Sequence, residues 1–186
     1  MELGKHKGIL IEEAIQAMVY DTSGSYVDMT FGRGGHAKRI LGSLNSSARL
    51  LVLDRDPEAI HIAKELAQKD ARVTWAHDRF GNLGDLVIEN GSLNGVLFDL
   101  GVSSPQVDDP QRGFSFLRNG PLDMRMDSSA GFTAADWIGS ASEDEIADVI
   151  YQYGEERYSR RMAKRVVDAR RLKPILTTLE LAELFK

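Results

Sequence analysis

Three acidic side chains sit where a chain of alternating strands and helices would bind a ligand. Asp28 follows Tyr26-Val27, Asp54 follows Leu50-Leu-Val-Leu53, and Asp99 follows Val96-Leu-Phe98. Between the first two lies the turn Gly32-Arg-Gly-Gly-His36, whose glycines admit positive φ and a close ligand approach. A glycine turn after one strand and an acid after the next is a common grip on an adenosine-containing cofactor, the acid accepting the ribose hydroxyls. Gly32-x-Gly34-x-x-Ala37 fits a dinucleotide pattern, which is weak by itself. Asp28 discriminates between cofactors. Its carboxylate would repel a pyrophosphate and attract the sulfonium and ammonium of S-adenosylmethionine, an effect worth about 1 to 4 kcal/mol at contact near a surface.

The elements that must hold these acids are legible from periodicity. Ile11, Ala14, Ile15, Met18 and Val19 recur at helical spacing, predicting a helix over 11–20. Tyr26 and Val27 begin a strand, and a helix runs from Gly35 to about Leu44. A second strand covers Arg49 to Leu53. Asp56-Pro57 opens a helix with an N-cap and a first-turn proline, and Ile60, Ala63, Leu66 and Ala67 form its inner face. A third strand spans Arg72 to His77. Phe80 sits on the next loop, before a short helix through Leu83, Leu86 and Val87, and Val96 to Phe98 form a fourth strand. This alternation predicts a doubly wound α/β sheet of parallel strands with ligands at their carboxyl ends. Phe80 either flanks the adenine there or tucks into the core.

Composition narrows the classes. The 186 residues suit one or two domains, and 42% apolar with 27% charged is ordinary for a globular chain. The absence of cysteine removes disulfides, thiolate metal sites and thiol nucleophiles, and fits a reducing, cytoplasmic setting. His6, His36, His61 and His77 lack ligand spacing, so no bound metal is expected. No signal peptide shows at Met1-Glu2-Leu3 and no apolar run spans a membrane, so no membrane partner is expected. The net charge of −5 argues against nucleic acid, but its distribution does not. Residues 157–173 carry eight cations (Arg157, Arg160, Arg161, Lys164, Arg165, Arg170, Arg171, Lys173) against Asp168, a local +7 that leaves −12 elsewhere. Such asymmetry marks either an anionic partner or a solvated helix face.

From Gly101 to Met126 periodicity fades and turn residues crowd together, the texture of a functional or disordered loop. Arg112, Phe114, Phe116, Arg118 and Arg125 mix cations with aromatics, which suits an unstacked base and its phosphates. Helices follow: a turn over Thr133 to Ile138, a capping box Ser142-x-x-Glu145 opening a helix to about Tyr153 that stops at Gly154, a basic helix from Glu155 to Arg171, and a second box at Thr177-x-x-Glu180.

Six segments in order carry a resemblance: Thr30-Phe-Gly-Arg-Gly-Gly-His36, Asp54-Arg-Asp-Pro57, Asp99-Leu-Gly-Val-Ser-Ser-Pro-Gln106, Arg112-Gly-Phe-Ser-Phe116, Gly120-Pro-Leu-Asp-Met-Arg-Met-Asp127 and Tyr153-Gly-Glu-Glu156. From His6 to the last residue the chain closely resembles the RsmH (MraW) family of S-adenosylmethionine-dependent methyltransferases. These act on the N4 amine of a cytidine in the decoding region of small-subunit ribosomal RNA. The resemblance implies that Gly34, Gly35 and His36 hold the methionine end of the cofactor, that Asp54 takes the ribose, and that Phe80, Asp99 and Gln106 complete the pocket. It implies a Rossmann-like methyltransferase core, residues 1–110 here, and an inserted helical subdomain beginning at 111–186. The partner would be small-subunit ribosomal RNA, free or within an assembled subunit.

Two departures stand out. The family usually opens with His-x-Pro-Val-Leu, and Gly8 replaces that proline in His6-Lys-Gly-Ile-Leu10. Family members also continue beyond Lys186 with further strands, so the fourth strand is expected to be an apolar edge prone to pairing. A shortened chain, or strand exchange in a homodimer, would account for it.

For chemistry, Asp99 is the candidate acceptor for an N–H of the cytosine amine, with Ser103 and Ser104 adding polar contacts; a role for Asp99 in cofactor binding alone is the alternative. Zero cysteines exclude a covalent thiol route to carbon 5. Competing readings are a cofactor- and RNA-binding fragment without catalysis, a nicotinamide oxidoreductase, which Asp28 disfavours, and a small-molecule methyltransferase, which leaves the +7 segment unexplained.

Overall fold

The computed structural model describes residues 10–86 and 92–186. The expectations for His6, Gly8 and Val87 therefore lie outside the described residues. The chain divides into two compact units, residues 1–101 and 102–186.

In the first unit, α1 (Ile11–Met18), β1 (Ser25–Asp28), α2 (Gly35–Ser43), β2 (Arg49–Asp54), α3 (Pro57–Lys69), β3 (Val73–His77), α4 (Leu83–Leu86) and β4 (Gly95–Leu97) follow in order. The four strands pair in parallel in the order β3-β2-β1-β4. Strand residues alternate between faces, so period-2 burial assigns each side chain to one layer. Tyr26, Leu50 and Val52 pack with Ile15, Ala37, Ile40, Ala59 and Ala63 from α1, α2 and α3. Val27, Leu51 and Leu53 turn the other way, against Leu83 and Leu86 of α4. Both faces of β1 and β2 are covered, which is why these strands read as nearly continuous apolar runs, whereas Trp75 of β3 and Val96 of β4 are exposed on the outer strands. Fully burying one such Leu or Val stabilises the fold by roughly 1.5 to 3 kcal/mol.

Polar ties fix the helices on this sheet. Tyr26 is buried, and its hydroxyl donates to the Asp21 carbonyl at 2.8 Å and accepts from the Asp21 N–H at 3.2 Å. Arg72 pairs with Asp70 and donates to the carbonyls of Leu41 (3.0 Å) and Leu44 (2.7 Å), tying the end of α2 to the start of β3. Asp56 caps α3, its carboxylate accepting from the Glu58 N–H at 3.0 Å, with Pro57 in the first turn as expected. β4 ends at Leu97, one residue before the expected Phe98, so Asp99 stands two residues past the strand.

The second unit contains α5 (Ser104–Asp108), a 3-10 turn over Pro110–Arg112, α6 (Ala134–Ser140), α7 (Glu143–Gly154), α8 (Ser159–Leu172) and α9 (Thr178–Glu183). Ile146 and Ala147 of α7 interlock with Ala163, Val166 and Val167 of α8, and Leu122 and Ile175 close the same core. The capping boxes at Ser142 and Thr177 form as read from sequence, and Ser103 with Gln106 and Thr133 with Asp136 form two more.

Two expectations here are corrected. The basic helix does not begin at Glu155. That residue takes φ +51 and ends α7 in place of Gly154, and the Tyr158 N–H then donates to the Glu156 carboxylate at 2.7 Å, so α8 starts only at Ser159. Nor is the Gly101–Met126 stretch an open cation–aromatic surface throughout. Arg112 is buried, donating to the carbonyls of Arg125 (3.1 Å) and Met126 (3.0 Å), while Arg125 is bound to Asp123 at 2.6 Å. Both arginines brace the loop. Phe116 and Arg118 remain exposed.

Candidate functional site

The residues after β1 form a compact polar cradle at the carboxyl rim of the sheet. Met29 and Phe31 donate backbone N–H groups to the carbonyls of Leu97 (2.9 Å) and Leu53 (3.0 Å), so this segment is clamped between the ends of β4 and β2. The turn then reverses through Gly32 (φ +53) and Gly34 (φ +76), both in the left-handed region. At Gly34 an added Cβ would lie 2.8 Å from Cζ of Phe31, a buried ring beneath the turn. Glycine is therefore required there twice, for its φ and for its lack of a side chain. α2 begins immediately afterward, leaving its first N–H groups directed at whatever the turn holds.

Three carboxylates border this cradle. Asp54 accepts from the Gly32 N–H through Oδ2 (2.8 Å) and from the Asp56 N–H through Oδ1 (2.9 Å). A carboxylate offers about four lone-pair sites, so each Asp54 oxygen retains acceptor capacity suited to a vicinal diol. Asp99 donates its backbone N–H to Thr30 Oγ1 at 2.7 Å, and its half-exposed carboxylate stands 3.7 Å from Nδ1 of the largely buried His36. Asp28 is fully buried on the apolar face of β1, in register with Val52 and Leu97. Its Oδ1 accepts from the Thr30 N–H at 3.1 Å, whereas Oδ2 is buried with no hydrogen-bond partner among the described residues. Burial is the main force pushing the Asp28 carboxyl up to about 7. The Thr30 N–H opposes it, and the charges of Asp54 and Asp99 reinforce it. A buried, unsatisfied oxygen among negative neighbours is costly, a cost relieved by a proton or by a cation nearby.

Gly34, Gly35, His36, Asp54 and Asp99 thus share one rim in the first unit. Phe80 does not tuck into the core. It is about half exposed and meets Phe98 edge to face, with centroids 5.9 Å apart. Ser103, Ser104 and Gln106 belong to the second unit: Ser103 is the N-cap of α5, Ser104 its first residue, and buried Gln106 accepts from the Ser103 N–H at 2.8 Å. Sequence reading missed Thr30, Phe31 and Phe98. Thr30 and Phe31 lie inside the glycine motif and Phe98 directly precedes Asp99, so adjacency was the available signal; their contacts depend on strand order.

The model of the MraW methylase family matches residues 4–186. The chain belongs to that family. Among curated relatives, this MraW-family chain is 52% identical over 185 residues to the ribosomal RNA small subunit methyltransferase H of Nitrosococcus oceani, covering 98% of this chain and 59% of that protein. It is 47% identical over 184 residues to the protein of the same name from Acinetobacter baumannii, covering 97% and 59%. The MraW-family chain therefore spans about 59% of the length of these relatives. A crystal structure of a candidate rRNA-methylase from Clostridium thermocellum superposes with a TM-score of 0.42 and 21% identity, over 50% of this chain and 52% of that one, too distant to inform the site. Among the described residues, no helix is long and apolar enough to cross a membrane.

Proposed function

We propose that this chain binds S-adenosylmethionine at the β1–α2 rim and carries the cofactor half of an enzyme that methylates the N4 amine of a cytidine in the decoding region of small-subunit ribosomal RNA. The observation that carries the cofactor choice is the buried, unpartnered Oδ2 of Asp28 beside Asp54 and Asp99. That environment suits the cationic methionine end and penalises a pyrophosphate, which weighs against the nicotinamide reading. The RNA substrate is supported by the names of the relatives and by the basic segment 157–173.

In this reading Gly34, Gly35 and His36 enclose the methionine end, Asp54 accepts the ribose hydroxyls, and Phe80 and Gln106 border the adenine. S-adenosylmethionine, when bound, supplies a methyl group on a positively charged sulfur. Asp99 accepts an N–H of the cytosine amine, returning electron density to a nitrogen whose lone pair otherwise feeds the ring. Once the amine has taken the methyl group, the Asp99 carboxylate would accept its surplus proton and pass it to solvent. Ser103 and Ser104 supply further polar contacts to the base. Residues 1–110 serve as the methyltransferase core and 111–186 as the start of the inserted helical subdomain.

The test pairs calorimetry with S-adenosylmethionine and methyl transfer to small-subunit ribosomal RNA, supplied both free and as assembled subunits. Binding with transfer to the cytidine amine is expected, and Asp99→Ala should abolish transfer. Binding without transfer favours the binding-only reading. Absence of binding at millimolar cofactor overturns the proposal.

A further inference from the structure

The basic segment of the second unit is not a uniform charge run once its partners are assigned. Arg170 donates to the Ile138 carbonyl and Arg165 to the Leu184 carbonyl at 2.9 Å. Arg171 pairs with Asp168 at 3.2 Å and Lys173 with Glu180 at 2.6 Å. These four cations hold helices and chain ends in place. Arg160, Arg161 and Lys164 are exposed, and no protein group pairs with them among the described residues. Ser159, Ala163, Val166 and Val167 form the buried stripe of α8; Arg161 lies opposite it, and Arg160 and Lys164 lie along its solvent-exposed flank. Residues four apart on a helix succeed each other at about 6 Å along its axis, so Arg160 and Lys164 form a short row of charge with Arg161 beside it.

The aromatic content of the same end is unusual. Tyr153 is 82% exposed at the end of α7, and Tyr158, at 52%, lies in the turn before α8. Arg157 stands over the Tyr158 ring at 4.5 Å and donates to its hydroxyl at 2.7 Å. α7 and α8 pack as consecutive helices across this short turn, so the two tyrosines share one end of the hairpin with Arg160 and Arg161. Nearby acids offset the row only in part: across residues 155–164 two acids, Glu155 and Glu156, face four cations, a net +2, and Asp168 is paired with Arg171. An acidic peptide would satisfy the cations and leave the rings idle. Phosphates flanked by unstacked bases use both.

We propose that the α7–α8 turn is a platform for single-stranded RNA, with Arg160, Arg161 and Lys164 on the phosphates and Tyr153 and Tyr158 stacking on the bases. This rests on the RNA substrate proposed above and assigns that substrate a surface. The test measures polarisation of a short, unstructured, labelled RNA between about 50 and 200 mM salt. A poly-glutamate peptide serves as competitor, and circular dichroism checks folding. R160Q/R161Q/K164Q should bind at least about tenfold more weakly, with the slope of log K against log salt reduced by about 2, at ~0.7 for each phosphate no longer neutralised. R160K/R161K should retain that slope. Y153A/Y158A should bind at least about fivefold more weakly at unchanged slope. Wild-type affinity and slope in the triple variant overturn the proposal, as does poly-glutamate displacing the RNA at equal charge with no effect of the tyrosines. Methyl transfer is followed in parallel. Transfer by a triple variant that still binds RNA normally would sink the platform and leave the enzyme reading intact. RNA binding that the triple variant loses, in a protein that never transfers methyl, would do the reverse.

Discussion

Phe80 and Phe98 meet at 5.9 Å with their rings at 85°, although Phe80 follows β3 and Phe98 follows β4, the two outer strands of the β3-β2-β1-β4 sheet. Adjacent strands lie about 4.8 Å apart, so the pair reaches across the ends of β2 and β1. Asp28 and Asp54 end those inner strands. The aromatic pair therefore gives the carboxylate-lined rim an apolar border, a mixture suited to a nucleoside. Phe80→Ala should weaken S-adenosylmethionine binding about tenfold by calorimetry, the worth of one aromatic ring against the adenine. The melting temperature should barely change, because the ring is half exposed already.

Asp28 should make stability depend on pH. Its carboxyl is raised from 3.8 to about 7 in the folded chain, chiefly by burial. The folded state thus holds the proton more tightly than the unfolded one. Stability from this group is complete below about pH 4, falls by up to about 1.4 kcal/mol per pH unit as pH rises toward 7, and levels off above that. Urea unfolding of Asp28→Asn from pH 5 to pH 8 should lack this decline, so that the variant exceeds wild type at the alkaline end. A wild-type profile as flat as that of the variant would refute the raised carboxyl.

Gly34→Ala should be destabilising at the cofactor turn. The new methyl would sit 2.8 Å from the Phe31 ring at a φ of +76, and neither strain can relax without moving the turn. A loss of about 1 to 3 kcal/mol is expected in denaturant titration, together with weaker cofactor binding.

Gly120→Ala should affect the second unit more severely. Its Cβ would come within 1.8 Å of the Pro110 carbonyl, a backbone atom, at the place where Gly120 accepts from the Thr178 N–H at 3.0 Å. Loss of more than about 3 kcal/mol, or failure to fold, is the expected result by far-ultraviolet circular dichroism.

Glu155→Gly should do the opposite. A non-glycine residue at φ +51 costs roughly 1 kcal/mol in the left-handed region, and the α7 cap needs only the backbone there. A rise in stability of about 0.5 to 1 kcal/mol is expected, read as a higher urea midpoint at unchanged m-value.

Much of this protein is written in local patterns. Period-2 and period-3.6 burial placed the strands and helices of the first unit to within two or three residues, because those patterns report which side of one element loses water. Capping boxes at Ser142 and Thr177 marked helix starts because each closes within four residues. The three acids and the glycine turn were visible for the same reason, since each follows its own strand.

Tertiary structure decided what no single element contains. Gly154 looked like the helix stop, but the bond from the Glu156 N–H to the Ile150 carbonyl put the left-handed residue at Glu155. Arg112 looked like a phosphate ligand until carbonyls 13 and 14 residues away claimed its guanidinium. Which cations of α8 are spoken for depends on α9, on Ile138 and on the chain end, and Phe80 finds Phe98 only because strand order folds their loops together. The proton on Asp28 belongs to the same class: residue type says carboxylate, whereas desolvation by neighbours distant in sequence determines its charge. Composition and spacing specify the groups available for chemistry, while long-range packing sets which of them keep their water, their charge and their freedom to bind.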